Sequence, residues 1–327
     1  MSTITKHSFV FALIFLLFSV STIAGELIKV VGLSSMTPST FAEVIEDPQR
    51  SYKSYDELVI QRTHIKRGLL NNVTAQKMTV EKSVIERVNM SSFNSANTVL
   101  SDSALIRSTL SFASMTDVQI SNVDFSRTMI NNAVFSDAKI SQSSFVRANM
   151  SSIILSDATI EQTNFTDTAM SFADISDAFL NNNIFTDCSC NNMNLSGAVI
   201  GNSIFIDTNM SSTDFSKSEV VMSDFSDATL SFGDFTKAEI SDSKFAYASV
   251  NNANFSKSEL RNVDFSNANL SSADFSNTKL ISVNFENAIL SYVNFDGAEF
   301  KDVNIEGATL NNISVKGSKQ LPFGMGQ

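Results

Sequence analysis

The stretch "SNVDFSRTMINNAVFSDAKISQSSFVRANM", residues 121–150, sets Phe125, Phe135 and Phe145 ten residues apart, with Ile130, Ile140 and Met150 midway between them. A helix repeats its buried face every 3.6 residues and a strand every 2. A period of five fits neither. It points to an internal repeat whose unit supplies one large apolar side chain. From Ile60 to Val315 nearly every residue whose number is a multiple of five is Phe, Leu, Ile, Met or Val. The run Phe205, Met210, Phe215, Val220, Phe225, Leu230, Phe235, Ile240, Phe245 shows the register without a lapse. Two residues before most centres stands a small side chain, as at Ala133, Ala138, Ser143 and Ala148.

"ADFSN" at 273–277, "ANFSK" at 253–257 and "ANLSS" at 268–272 are copies of one motif, Ala-(Asp/Asn)-(Leu/Phe)-x-x. In them the chain resembles the pentapeptide-repeat family over roughly four-fifths of its length. The resemblance implies an all-β fold, a right-handed quadrilateral β-helix with one pentapeptide per side and ~13 coils of twenty residues. The central residue and the small one two before it would point inward, and the other three outward. A prism so narrow admits one large and one small side chain per side. Coils stacked ~4.8 Å apart would set each centre on its counterpart. Ser95 is a poor centre, but Phe93 occupies the small slot beside it; Asn183 is the least comfortable inward residue.

The expected organisation is a signal peptide at 1–24, an N-terminal capping segment at 25–54, the β-helix at 55–315 and a C-terminal tail at 316–327. Lys6 and His7 precede an apolar run from Phe9 to Val20, and Ala24 offers a small residue before Gly25. That run is short for a membrane span, which needs about 20 residues. No later segment could cross a bilayer, so a secreted or periplasmic protein is expected. Residues 26 to 54 lie outside the five-residue register. Thr40-Phe41-Ala42-Glu43 reads as a capping box and Asp47-Pro48 as a stop, which together predict a short helix over the first coil. "LPFGMGQ" at 321–327 is expected to fold over the last.

A longer period of sixty residues is also present: "LSF", "MSF", "LSF" and "LSY" begin at 110, 170, 230 and 290. One outward line therefore carries no charge and sets Phe112, Phe172, Phe232 and Tyr292 ~14 Å apart, a spacing that suits a glycan or a protein partner. Charge follows a different rule. Two residues after the centre, one side reads Arg67, Arg87, Arg107, Arg127, Arg147, then Asp167, Asp187, Asp207, Asp227. The opposite side reads Asp117, Asp137, Asp157, Asp177, Gly197, then Lys217, Lys237, Lys257. These blocks ignore the sixty-residue units. Like charges ~5 Å apart repel by roughly 1 kcal/mol per pair in water, so local acids such as Glu86 and Asp124, or an opposite ladder on a second copy, are expected to compensate.

Nothing in the chain has the pattern of a catalytic, cofactor or metal site. There is no Walker loop, dinucleotide fingerprint, Cys/His zinc pattern or serine elbow. His64 is expected to face outward without a cysteine or carboxylate constellation. The acidic ladders lack the wrapped loop of strong Ca²⁺ sites. Cys188 and Cys190, two apart in one strand, are expected to fill core slots as thiols rather than to bridge. The net charge of −11 disfavours nucleic acid as a partner. The sequence thus predicts an exported, non-enzymatic scaffold binding through its flat faces. The resemblance adds two alternatives: a topoisomerase-binding mimic of DNA, of the quinolone-resistance type, and a secreted effector.

Overall fold

A unit of five residues cannot run on as a flat strand, because the chain must turn after each centre. The computed structural model, which describes residues 43–46, 48–322 and 324–325, shows how it does so. Every assigned element among these residues is a strand, most of them three residues long. All pair in parallel at an offset of twenty, as in Ile120↔Ile140, Ile140↔Ile160 and Leu260↔Leu280. Isolated bridges such as Leu69↔Asn89, Asn94↔Ser114 and Ser144↔Asn164 complete the other sides. Four ladders, five residues apart, wrap the chain into a parallel solenoid. The four-sided β-helix is the fold.

The corners explain much of the composition. The Phe125 carbonyl accepts from the Thr128 N–H at 3.1 Å, that of Ile130 from Ala133 at 3.3 Å, and that of Phe135 from Ala138 at 3.2 Å. Each bond closes a turn whose second central residue is left-handed, with φ of 60° at Arg127, 57° at Asn132 and 59° at Asp137. This is the signature of a type II turn. The same residue donates its N–H to the next coil, as Arg127 does to Val146 at 3.0 Å. An L side chain pays ~1–2 kcal/mol in this conformation, least for Asn and Asp and nothing for Gly. Asn, Asp and Gly accordingly crowd the position, and between Tyr52 and Gly317 it never holds Val, Ile or Thr.

The second letter of the motif has its own cause. Asp124 Oδ1 accepts the Ser126 N–H at 2.8 Å, Asn164 that of Thr166 at 2.9 Å and Asp274 that of Ser276 at 2.9 Å. Such a side-chain turn pre-shapes the corner that follows.

Inside, the centres form columns. Phe125, Phe145, Phe165, Phe185, Phe205, Phe225 and Phe245 stack at ring separations of 4.6 to 5.2 Å. Phe215, Phe235, Phe255 and Phe275 form a second column at 4.5 to 4.7 Å. The columns meet edge to face, 5.9 Å apart at Phe215 and Phe225. Both arrangements suit the ring quadrupole. Phe93 and Ser95 are both fully buried, so the large and small slots have exchanged occupants as expected. Asn183 is buried with both amide atoms bonded: its Oδ1 accepts the Thr163 N–H at 3.0 Å and its Nδ2 donates to the Ile160 carbonyl at 2.9 Å.

Three expectations need correction. Cys188 and Cys190 form a disulfide and are not free thiols. Both point inward from one pentapeptide, with only the outward Ser189 between them, and the bend brings their Cα atoms to 5.6 Å. That lies within the ~4.4–6.8 Å that a bridge spans. Secondly, residues 43–54 are not outside the register. Glu43–Glu46 is a strand paired at the twenty-residue offset with Thr63–Lys66, and Gln49 bridges Leu69. Pairing satisfies the backbone groups of the terminal coil, which a helix lying over it would not. Thirdly, the ladder reaches Lys319, which bridges Glu299, so the tail begins later than 316. Within that tail Met325 is buried in the core cluster, which fits an end closed by the chain. The expected signal peptide and the start of the capping box lie outside the described residues.

Melting experiments on three variants check this architecture. Phe225→Asp buries a charge among stacked rings and is expected to cost more than about 4 kcal/mol. Asn267→Val puts a β-branched residue at a φ of 59° and is expected to cost ~1–2 kcal/mol. Lys237→Ser changes an exposed corner and is expected to stay within about 0.5 kcal/mol. Any other ranking contradicts the assignment of inward, corner and outward positions.

Candidate functional site

The coil leaves three outward residues per pentapeptide, and two of them form the corner turn. The residues singled out from the sequence therefore stand on ridges along the corners, not on flat sides. Each ridge is a column of left-handed residues one coil apart. The structure brings the Arg and Asp ladders onto one ridge, the Asp and Lys ladders onto another, and the aromatics onto a third.

On the first ridge compensation is local and partial. Glu86 lies 3.7 Å from the Arg87 guanidinium and 4.0 Å from that of Arg107. Its other oxygen is 3.9 Å from His64 Nε2, so the histidine has a carboxylate beside it, contrary to expectation. The two meet because one coil plus two residues separates them. Where the blocks join, Arg147 Nε donates to Asp167 Oδ2 at 3.2 Å. Arg127 makes no ion pair among the described residues. Asp124 shares with it a shallow recess of about 360 Å³, lined also by Ile106, Arg107, Val146 and Arg147. A second recess of about 210 Å³ lies between Lys66, Arg67, Glu86 and Arg87.

The aromatic ridge is neutral and stitched by hydrogen bonds. Ser111, Ser171 and Ser231 each donate to the Asn one coil on, at 2.6 Å in all three cases. Phe112, Phe172 and Phe232 are each 62% exposed and Tyr292 66%. Tyr247, 63% exposed, stands on the Arg/Asp ridge next after Asp227 and was not among the residues singled out from the sequence. Its place twenty after Asp227 was the available signal.

A further column was also missed. Glu219, Glu239 and Glu259 pair directly across neighbouring coils. Lys279 reaches Glu259 at 3.4 Å, and Arg261 is also paired with it, so the strain is relieved only at that end. At the other end burial, and then the charge of Glu239, push the Glu219 carboxyl above its ordinary range. Among the described residues, no group of three or more His, Cys, Asp or Glu is placed to hold a metal ion. No helix among them is long and apolar enough to cross a membrane.

Comparison with known proteins bears on all of this. Residues 238–315 match a family described as "Pentapeptide repeat region". Overlapping segments from 119 to 231 match one described as "Pentapeptide repeats (8 copies)". Together they cover more than half of the chain. No match is found among curated proteins. Among solved structures the chain is similar to HetL, a pentapeptide repeat protein involved in heterocyst differentiation regulation from the cyanobacterium Nostoc sp. strain PCC 7120. The identity is 21% over 67% of this chain and 89% of that one, with a TM-score of 0.41. It is also similar to QnrB1, a plasmid-mediated fluoroquinolone resistance protein, at 19% identity over 48% and 82% of the two chains and a TM-score of 0.41. A pentapeptide repeat protein from the Arabidopsis thaliana thylakoid lumen is 30% identical over 32% and 65%, with a TM-score of 0.20.

The glutamate column gives a pH test. A carboxyl raised in the folded state favours protonated Glu219, so its ionised form burdens the fold at neutral pH. The burden lifts as pH falls through the raised value and is gone below the ordinary one. Glu219→Gln is expected to raise the melting temperature at pH 7 and to lose that advantage by about pH 4. An equal gain at both pH values would show that charge is not the cause.

Proposed function

The chain belongs to the pentapeptide-repeat family, and on that premise we propose that it is an exported, non-enzymatic scaffold that binds through its corner ridges. The observation that carries this reading is the state of Phe112, Phe172, Phe232 and Tyr292. Each is about two-thirds exposed, at a φ of 61 to 63°. A bulky aromatic is strained there, and an exposed ring returns none of that cost by burial. The rings take no part in the stacked core columns. They recur along one neutral, hydroxyl- and amide-lined ridge, where an aromatic face can lie against a sugar ring or an apolar protein surface.

Export is supported by the leader-like composition of residues 1–24 and by the bond between Cys188 and Cys190, which fits an oxidising compartment. The two recesses described are open to solvent, and a repeated outer surface suits display better than enclosure of a substrate.

Replacing the four aromatics together by Ser is expected to preserve the melting temperature and to abolish retention on insoluble glycans or on immobilised extract of the surrounding cells. Unchanged retention across such a panel would remove the aromatic ridge from the function. Fractionation of cells carrying the full chain is expected to place it in the periplasm or medium. Recovery in the cytosol would end the export reading.

A further inference from the structure

This inference rests on the reading of the corners as binding surfaces and names the partner for one of them. We infer that the ridge from Arg67 to Tyr247 is a self-complementary seam, on which two copies of this chain dock antiparallel about a twofold axis midway between Arg147 and Asp167. An isologous contact requires that if one residue meets another, the reverse also holds. Arg147 then meets Asp167 of the second copy, Arg127 meets Asp187, Arg107 meets Asp207 and Arg87 meets Asp227. One rung further, Arg67 falls opposite Tyr247, an exposed ring that can take a guanidinium on its face. The complementarity extends over ten consecutive rungs, ~43 Å from Arg67 to Tyr247.

Three observations support a second copy. The corner conformation favours Asp but not Arg, so backbone preference accounts for one block and leaves the other unexplained. Among the described residues Glu86 is the only acid in ion-pair range of Arg87 and Arg107, and none is in range of Arg127. The recess between Arg107, Arg127 and Arg147, lined also by Ile106, Val146, Ser126 and the single carboxylate Asp124, would receive the short side chains of Asp207, Asp187 and Asp167 from the second copy, three guanidiniums outnumbering that one acid. In the adjoining column, one residue earlier, Ile106 falls opposite Ile206, Ser126 opposite Thr186 and Val146 opposite Thr166. Glu86 falls opposite Ser226. Within these two columns no like charges face each other.

Other occupants fit less well. In a parallel pairing with the opposite ridge Arg107 would face Asp157, but Arg147 would face Gly197 and lose its partner. A linear polyanion could follow the Arg block but would then run into Asp167 to Asp227 on the same line.

Sedimentation of the purified chain at tens of micromolar tests the seam, with thermal melts confirming that each variant is folded. A dimer is expected at 0.1 M salt, weakened about tenfold or more at 1 M, where screening shortens to ~3 Å. Arg107→Asp with Arg127→Asp is expected to give monomers. Adding Asp187→Arg and Asp207→Arg in the same chain is expected to restore the dimer. The parallel pairing predicts the opposite, because the restored residues would face Lys237 and Lys257, so failure of the quadruple variant overturns the antiparallel seam. Tyr247→Ala is expected to weaken the dimer without abolishing it. A monomeric wild type at 0.1 M overturns the proposal, and if that monomer is retained on immobilised sulfated polysaccharide the ridge belongs to a polyanion. Neither result touches the aromatic ridge, whose own retention test decides the wider reading.

Discussion

Closure of every coil in twenty residues is the constraint on which the rest depends. The Leu70 N–H reaches the Asn89 carbonyl at 2.7 Å and the Asn89 N–H returns to the Gly68 carbonyl at 3.0 Å. The same exchange continues to Ile289 and Thr309. Each pairing holds only while both coils spend the same number of residues on each side. One inserted residue would shift every later inward side chain out of its column and leave backbone groups unpaired. Among the described coils the offset of twenty is never broken by the kind of loop from which most proteins build pockets. Variation is left to the outward residues, one letter per coil.

That constraint also decides what was legible in the sequence. A strict period of five with no insertion showed the register, the inward residues, the exchange at Phe93 and Ser95, and the outward ladders, because each depends only on counting. The Cys188–Cys190 bond was missed because it depends on how sharply a single pentapeptide bends, which spacing does not reveal. The strand at Glu43–Glu46 was missed because its residues lack the motif and are held by pairing to Thr63–Lys66, a tertiary effect that overrides local capping signals. The approach of Glu86 to His64 required knowing that the side chains lean across a coil boundary. The outward positions were placed on flat sides because hydrophobic period tells inside from outside but not side from corner.

Electrostatics on such a rod differ from those on a globule. Successive coils bring like residues within about 5 Å whether or not that is favourable. The glutamate column shows the consequence: Glu259 finds Lys279 and Arg261, while burial and then the charge of Glu239 push the Glu219 carboxyl above its ordinary range. Ridge residues have a second outlet, since they project into water and can splay. Column charges therefore tolerate repulsion on the surface better than beside the strand ladder, and long ladders can persist there at small cost.

The corner position then separates two kinds of selection. Its backbone lies in the left-handed region, so Asn, Asp and Gly are favoured there before any surface function is considered. Their abundance, including the Asp blocks, carries little information taken alone. Arg, Lys, Phe and Tyr run against that preference. Where Arg67, Arg87, Arg107, Arg127 and Arg147 occupy the position in five successive coils, or an aromatic returns every third coil, the backbone is being held in a costly conformation by residues it does not favour. A contact made outside the coil, such as the proposed seam, would recover that cost. In a fold whose interior is dictated by closure, the residues that disagree with the backbone are the first to test as binding surfaces.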